Sequence, residues 1–341
     1  MAEIKPNYDT NRKKLADIIP LPAPFTVYIE QTKYCNFKCF YCIHSTRDEE
    51  NGEFKKLGHK MMHMNEDYFR KIISELQAFP HGSVKRIVFS GLGEPLMNPQ
   101  LSAHVKEAAD ANICDRIEVI TNGLLLTPEK SDALIASGIT NINISIQGLT
   151  GAEYRETCGV EIDFDKFIYD LTYLYNNRKN TKIYIKIIDA ILKTEEDKKK
   201  FFDIFGKISD RIYVEHLVVM QQQMENLKEV VDGSLNFYGE ALDESRKVCA
   251  QSFYFLQIGC DGDTFPCPVP GLGKGLSMGN AKEESLQSIW HGEKRKKILR
   301  MMLQKKKDEI KECNGCTCFN AINNPSENLD VDAERLLPLF Q

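Results

Sequence analysis

Three cysteines, Cys35, Cys39 and Cys42, stand in a Cys-x3-Cys-x2-Cys spacing just after an apolar run at 25–29. Three thiolates can hold an iron–sulfur cluster by three of its four irons. The fourth iron is then free to bind a small molecule and pass it an electron, which turns an electron store into a catalyst. A second group, Cys249-x12-Gly262-x4-Cys267 followed after a gap by Cys313-x2-Cys316, supplies four more thiols. Zinc is the competing reading for both groups. His44 could complete a three-cysteine zinc site at the first, and four thiolates alone could make one at the second.

Eleven cysteines in 341 residues is a high count; three fall at 35–42 and six at 249–318, with Cys114 and Cys158 isolated between them. Where thiols stay reduced, such clusters read as metal ligands or catalytic groups rather than disulfides. The net charge is −5 and no basic stripe is present, so nucleic acid is not an expected partner. The run Lys294–Lys297 reads as the solvated face of a helix. No apolar stretch reaches membrane-spanning length and the N-terminus lacks an apolar signal core, so a cytoplasmic location and no membrane partner are expected.

The elements that must position these thiols alternate. Strands are expected at 25–31, 86–90, 116–120, 142–147, 182–190 and 211–219. Helices are expected at 65–79, 99–111, 128–137, 164–177 and 195–208. Six such alternations imply a parallel sheet and are too few for an eight-unit barrel. The polar stretch 221–244 breaks the pattern. Beyond it come a hairpin around Cys260-Asp-Gly-Asp263 and a helix at about 285–305. On strand 142–147, period-two alternation puts Asn143, Ser145 and Gln147 on one face and three isoleucines on the other. The implied organisation is an N-terminal extension at 1–24, a partial barrel at 25–220, a linker at 221–245, an iron–sulfur domain at 246–320 and a tail at 321–341.

Cys35-Asn-Phe-Lys-Cys39-Phe-Tyr41-Cys42 resembles the signature of the radical S-adenosylmethionine (SAM) superfamily. In the same order follow Gly91-Leu-Gly93-Glu94-Pro95, with Leu92 where the family has glycine, then Thr121-Asn122-Gly123 and Asn143-Ile-Ser145-Ile-Gln147. The resemblance implies an α/β fold, a partial (β/α)6 TIM-like barrel with a small C-terminal α+β domain. It implies a SAM-binding [4Fe–4S] cluster on Cys35, Cys39 and Cys42. It also places SAM against Tyr41, Gly93, Glu94, Pro95, Asn122, Ser145 and Gln147. Lys186, a cation mid-strand, would contact a carboxylate of cofactor or substrate, or else lie at the rim. The C-terminal cysteines resemble the SPASM and twitch domains of the same superfamily. They imply one auxiliary [4Fe–4S] cluster on Cys249, Cys267, Cys313 and Cys316, with Cys260 and Cys318 spare and able to replace one of the four. The four-cysteine spacing is similar to that of twitch-domain cyclitol and sugar dehydrogenases.

The resemblance implies reductive cleavage of SAM to a 5′-deoxyadenosyl radical, which takes a hydrogen atom from a small polar substrate such as a sugar or cyclitol. Flavodoxin or ferredoxin would supply the electron. In a dehydrogenase, Glu215 is the candidate general base, with Gln147 as its hydrogen-bond partner, and its competing role is a rim carboxylate in water. In an epimerase, Cys158 or Cys260 would return a hydrogen atom. Cys158 reads more readily as a small apolar filler, and Cys114 as structural. Peptide modification is a further alternative, disfavoured by the short segment before the first strand. A non-catalytic iron–sulfur or zinc scaffold is the non-enzymatic one.

Overall fold

In the computed structural model, residues 2–7, 12–220, 224, 227, 229, 231–321 and 324–341 are described. Ten strands form one sheet: β1 (Glu3–Ile4), β2 (Thr26–Ile29), β3 (Arg86–Phe89), β4 (Ile117–Thr121), β5 (Asn141–Ile146), β6 (Lys182–Ile188), β7 (Arg211–Glu215), β8 (Phe255–Ile258), β9 (Asp263–Phe265) and β10 (Gly279–Asn280). Their order is β1-β7-β6-β5-β4-β3-β2-β8-β9-β10. Strands β2 to β7 are parallel neighbours in sequence order, which is the six-unit partial barrel. The sheet continues past it on both sides. β1 adds a parallel edge strand to β7, and β8 pairs in parallel with β2. The C-terminal hairpin β8–β9 is therefore an extension of the barrel sheet.

The crossover helices are α1 (Glu66–Gln77), α2 (Leu101–Asp110), α3 (Pro128–Ala136), α4 (Gly151–Cys158), α5 (Phe164–Asn177) and α6 (Glu195–Phe205). Side chains of Asn65, Thr127, Asp163 and Thr194 accept a backbone N–H at the starts of α1, α3, α5 and α6. Helix α4 was not anticipated. It is short, weakly amphipathic and sits in a glycine-flanked stretch. The isoleucines of β5 are at most 1% exposed against this helical layer, while its polar face turns to the lumen. At the N-terminal end of the strands, Glu118 pairs with Arg116 and Arg86 and accepts from Asn143 Nδ2 at 2.9 Å. That network seals the base and leaves the strand C-termini as the open end.

The helix expected at 285–305 is two, α7 (Leu286–His291) and α8 (Glu293–Leu303). Gly292 between them is extended, φ −74° and ψ 159°, and glycine is the residue that least resists leaving a helix. The basic run is not wholly solvated. Arg295 is buried, stacked on Trp290 at 3.4 Å and bonded to three backbone carbonyls. The tail is ordered among the described residues. Leu329, Leu336 and Phe340 are buried, and Phe340 meets Phe253 edge-on at 5.5 Å. Much of the first half of the expected linker lies outside the described residues. Its second half folds back on the end of β7, with His216 N–H donating to Phe237 O and Tyr213 Oη to Tyr238 O, and Phe237 N–H ties it to Ala321 O. No helix among the described residues is long and apolar enough to cross a membrane.

Candidate active site

The cysteine loop 35–42 leaves β2 at the open end of the barrel. Arg47 Nη1 donates to Cys35 O at 2.7 Å and Phe37 O at 2.9 Å. The C-terminal carbonyls of α4 hold the other side: Lys38 N–H bonds Cys158 O and Phe40 N–H bonds Thr157 O. The three thiols remain half-buried. Burial pushes the Cys42 thiol up to about 12, and burial with the nearby Glu94 and sibling thiolates pushes Cys35 up. Three thiols that resist ionisation together make a donor set that needs a cation, as an iron–sulfur cluster provides. His44 lies against Phe54 with ring centroids 5.1 Å apart and Nδ1 3.5 Å from Arg47. Among the described residues no three His, Cys, Asp or Glu side chains converge on a single ion.

Beside the loop the family markers interlock. A Cβ at Gly93 would collide with Thr32 O and Tyr34 O, so only glycine allows this approach. Glu94 is 3% exposed. Its Oε1 accepts from Thr121 Oγ1 (2.6 Å) and Leu96 N (3.0 Å), and its Oε2 from Asn122 N (2.8 Å). The Glu94 carboxylate thus ties the Gly-Leu-Gly-Glu-Pro loop, Pro95 included, to the Thr-Asn-Gly loop. Leu92, the departure from the family pattern, packs with Ile43, Phe54 and Leu227, and its N–H donates to Glu30 Oε1. Asn122 Nδ2 donates to Asn36 Oδ1 at 2.7 Å, and the buried Asn36 Nδ2 has no partner. An orphaned donor beside three thiols fits a bound polar cofactor such as SAM.

In the lumen, Tyr41 Oη donates to Gln147 Oε1 at 2.6 Å. The register Ser145↔Lys186 and Ile188↔Glu215 carries the same face across β5, β6 and β7. Glu215 is 4% exposed rather than at a wet rim. Lys186 Nζ donates to its Oε2 at 2.7 Å and Tyr184 Oη to its Oε1 at 2.9 Å. Burial and the Glu215 charge push the Tyr184 hydroxyl up. The expected Gln147–Glu215 contact is replaced by Gln147–Tyr41, because Gln147 continues past β5 toward the cysteine loop. Tyr184 was missed, although it stands two residues from Lys186 and so on the same strand face. Phe237 from the folded-back segment covers Lys186, 5.4 Å from ring centroid to Nζ. Beside it, His216 bridges Asp189 Oδ2 (2.6 Å) and Asp232 O (2.9 Å).

Cys158 is fully buried on α4. Its Sγ donates to Tyr154 O at 2.9 Å and lies within hydrogen-bonding reach of Cys39. It backs the cysteine loop instead of lining the lumen. Cys260, in the β8–β9 turn, places Sγ 3.4 Å from Glu30 Oε2, in a buried polar group with the Lys33–Asp261 ion pair.

The second thiol group surrounds a cavity of about 50 Å³ lined by Cys249, Cys267, Cys313 and Cys316, and also by Cys318. Of the two spare cysteines, Cys318 therefore belongs to this cavity and Cys260 does not. Burial, then neighbouring thiolates, push Cys249 up to about 11 and Cys313 up to about 12. A hydrogen bond from Cys318 draws Cys316 down to about 6. Five thiols around one cavity fit a closed iron–sulfur cluster with a ligand to spare.

Comparison with known proteins agrees with this geometry. The radical SAM superfamily model matches residues 29–202, and the SPASM iron–sulfur cluster-binding domain matches 249–317. A probable GTP 3′,8-cyclase of Methanococcus vannielii is 34% identical over 132 residues, 39% of this chain and 39% of that protein, so the chain matches about two fifths of its length. The tungsten-containing aldehyde ferredoxin oxidoreductase cofactor-modifying protein of Pyrococcus furiosus is 24% identical over 305 residues, 79% of this chain and 81% of that one. Among solved structures, BtrN in complex with AdoMet and 2-DOIA aligns with a TM-score of 0.56 at 18% identity, over 90% of this chain and 95% of that one.

Proposed function

This chain belongs to the radical SAM superfamily and carries a SPASM iron–sulfur domain, and from that premise we propose that it oxidises an alcohol carbon of a small polar substrate of the sugar or cyclitol class. Membership brings a SAM-binding [4Fe–4S] cluster, SAM and an auxiliary iron–sulfur cluster. When bound, these supply a 5′-deoxyadenosyl radical that removes one hydrogen atom and an acceptor for one electron. The chain itself must bind the alcohol, take its proton and exclude water.

The observation that carries this reading is the Glu215 carboxylate, buried at the open end of the barrel and held by Lys186 and Tyr184. Among the described residues each oxygen has one donor, which leaves a second lone pair, so Glu215 can accept a substrate hydroxyl proton while its orientation stays fixed. Lys186 then offsets the charge left nearby. Gln147, Asn122 and Ser145 offer polar contacts to SAM from the same face, and Phe237 closes the lumen from above. The auxiliary thiol cavity supports oxidation because loss of a hydrogen atom and a proton leaves one electron to be accepted. Cys158 faces the cysteine loop, so the epimerase reading rests on Cys260.

The test is an anaerobic reaction of the reconstituted protein with SAM, dithionite and sugars or cyclitols deuterated at their carbinol carbons. Deuterium in 5′-deoxyadenosine together with a carbonyl product is expected. Solvent deuterium at a product C–H would instead identify an epimerase, and turnover only with peptides would overturn the substrate class.

A further inference from the structure

Lys307 is a buried lysine among exposed ones. After α8, Lys305 takes a left-handed conformation, φ 59°, and the chain doubles back. Lys305 and Lys306 stay outside, while Lys307 is only 5% exposed. Its ammonium donates to Cys313 O at 2.9 Å and Cys316 O at 3.4 Å, and lies 4.9 Å from the centre of the Phe319 ring. Its ion-pair partner, Asp308 at 2.6 Å, is 67% exposed, so water screens that carboxylate more than the ammonium. Among the described residues, Lys307 and Glu312 are the charged side chains lining the thiol cavity, and Glu312 enters from the Gly275 side, half-buried. Burying an ammonium costs several kcal/mol unless anions repay it. Loop carbonyls, one ring face and a water-screened carboxylate are a thin compensation, whereas thiolates around a cluster are a strong one.

We propose that Lys307 is a positioning residue of the auxiliary site: it fixes the Cys313–Cys316 loop and sets a buried positive charge beside the cluster, raising its reduction potential so that it accepts an electron. This rests on the auxiliary cluster occupying the cavity of Cys249, Cys267, Cys313 and Cys316. A cluster bound by thiolates is net anionic, and reduction makes it more so. A fixed cation at short range in a low-dielectric site favours the reduced form over the oxidised one.

The experiment is an EPR-monitored redox titration of the fully reconstituted protein, reading the cluster signal that SAM does not perturb. Lys307→Gln keeps a donor to the loop carbonyls and removes the charge. It is expected to lower the auxiliary reduction equilibrium at least tenfold, or 59 mV for a one-electron couple, and Lys307→Arg to restore it. Asp308→Asn removes the opposing charge without touching the carbonyl contacts and is expected to raise the potential by a smaller step. An unchanged potential in Lys307→Gln with iron content intact overturns the proposal. If that variant loses its iron, Asp308→Asn decides: a rise supports the proposal and no change overturns it. Loss of auxiliary iron from the Cys249→Ala/Cys313→Ala double variant, which leaves three of the five thiols at the cavity, tests the cavity assignment separately. Retention of the full iron content there refutes the location of the cluster without bearing on the sign of the charge effect.

Discussion

Gly93 lies where no side chain fits, between the carbonyls of Thr32 and Tyr34. Gly93→Ala must push the loop away from the cysteines, and we expect SAM affinity to fall by about tenfold or more while the first cluster stays loaded. Titrating SAM against the reduced EPR signal checks this, and unchanged affinity would show that the loop is not a SAM contact. At Glu215, substitution by Gln preserves the shape but accepts no proton. Product formation should drop by about 10²–10⁴-fold, with 5′-deoxyadenosine still formed in uncoupled turnover. Product formation at the parent rate would remove Glu215 from the chemistry. The cysteine triplet was legible in the sequence because its ligands lie within eight residues and its chemistry is in the side-chain types. The partners of Glu215 were not, because Lys186 and Tyr184 reach it only through the β6–β7 register, which local spacing does not encode. The same holds for Tyr41 and Gln147, which are 106 residues apart.

Helix α4 is the element that composition concealed and the site depends on. Its last carbonyls hold the backbone of Lys38 and Phe40, and it ends at Gly159, φ 73°. Gly159→Ala forces a left-handed conformation on a residue with a side chain. We expect a loss of about 1 kcal/mol in stability and faster removal of cluster iron by a chelator. Gly233, which has nothing within 4 Å of an added Cβ and no left-handed φ, is the control, and its alanine variant should behave as the parent. Equal chelation rates for the two variants would separate α4 from the cluster loop. The six barrel strands and five of the crossover helices were legible because caps and periodicity are local signals. β1 was not, since two residues show no alternation. Nor was the parallel seating of β8 on β2, a pairing across more than two hundred residues that hydrophobic pattern does not specify.

Across the molecule, that seating explains how two thiol groups far apart in sequence share one sheet, with the open site at the end of β2 and the closed cavity beyond the β8–β9 hairpin. Buried groups in the barrel wall also couple stability to pH. His104, stacked on Phe69 at 4.1 Å with Nδ1 2.7 Å from Gln31 Oε1, is held down to about 4, chiefly by burial. As pH falls, the unfolded chain takes up this proton near 6.5 and the folded chain only near 4. Stability present above pH 6.5 is therefore lost between about 6.5 and 4, at up to about 1.4 kcal/mol per pH unit. Denaturant titrations across that window should show the slope, and His104→Gln should reduce it, while His44, which burial also holds down to about 4, keeps its share. A slope unaltered by the substitution would assign acid sensitivity elsewhere. On the function proposed above, one chain holds an open, SAM-binding cluster at Cys35, Cys39 and Cys42 and a closed one at the C-terminal cavity. The most direct test is the iron content and reduced EPR spectrum of the reconstituted protein beside its Cys35→Ala/Cys39→Ala/Cys42→Ala variant. About eight irons against about four are expected, as two tetranuclear clusters and one would hold, with a SAM-sensitive signal that vanishes in the variant. Equal iron in the two proteins, or a SAM-sensitive signal that survives the substitutions, would contradict it.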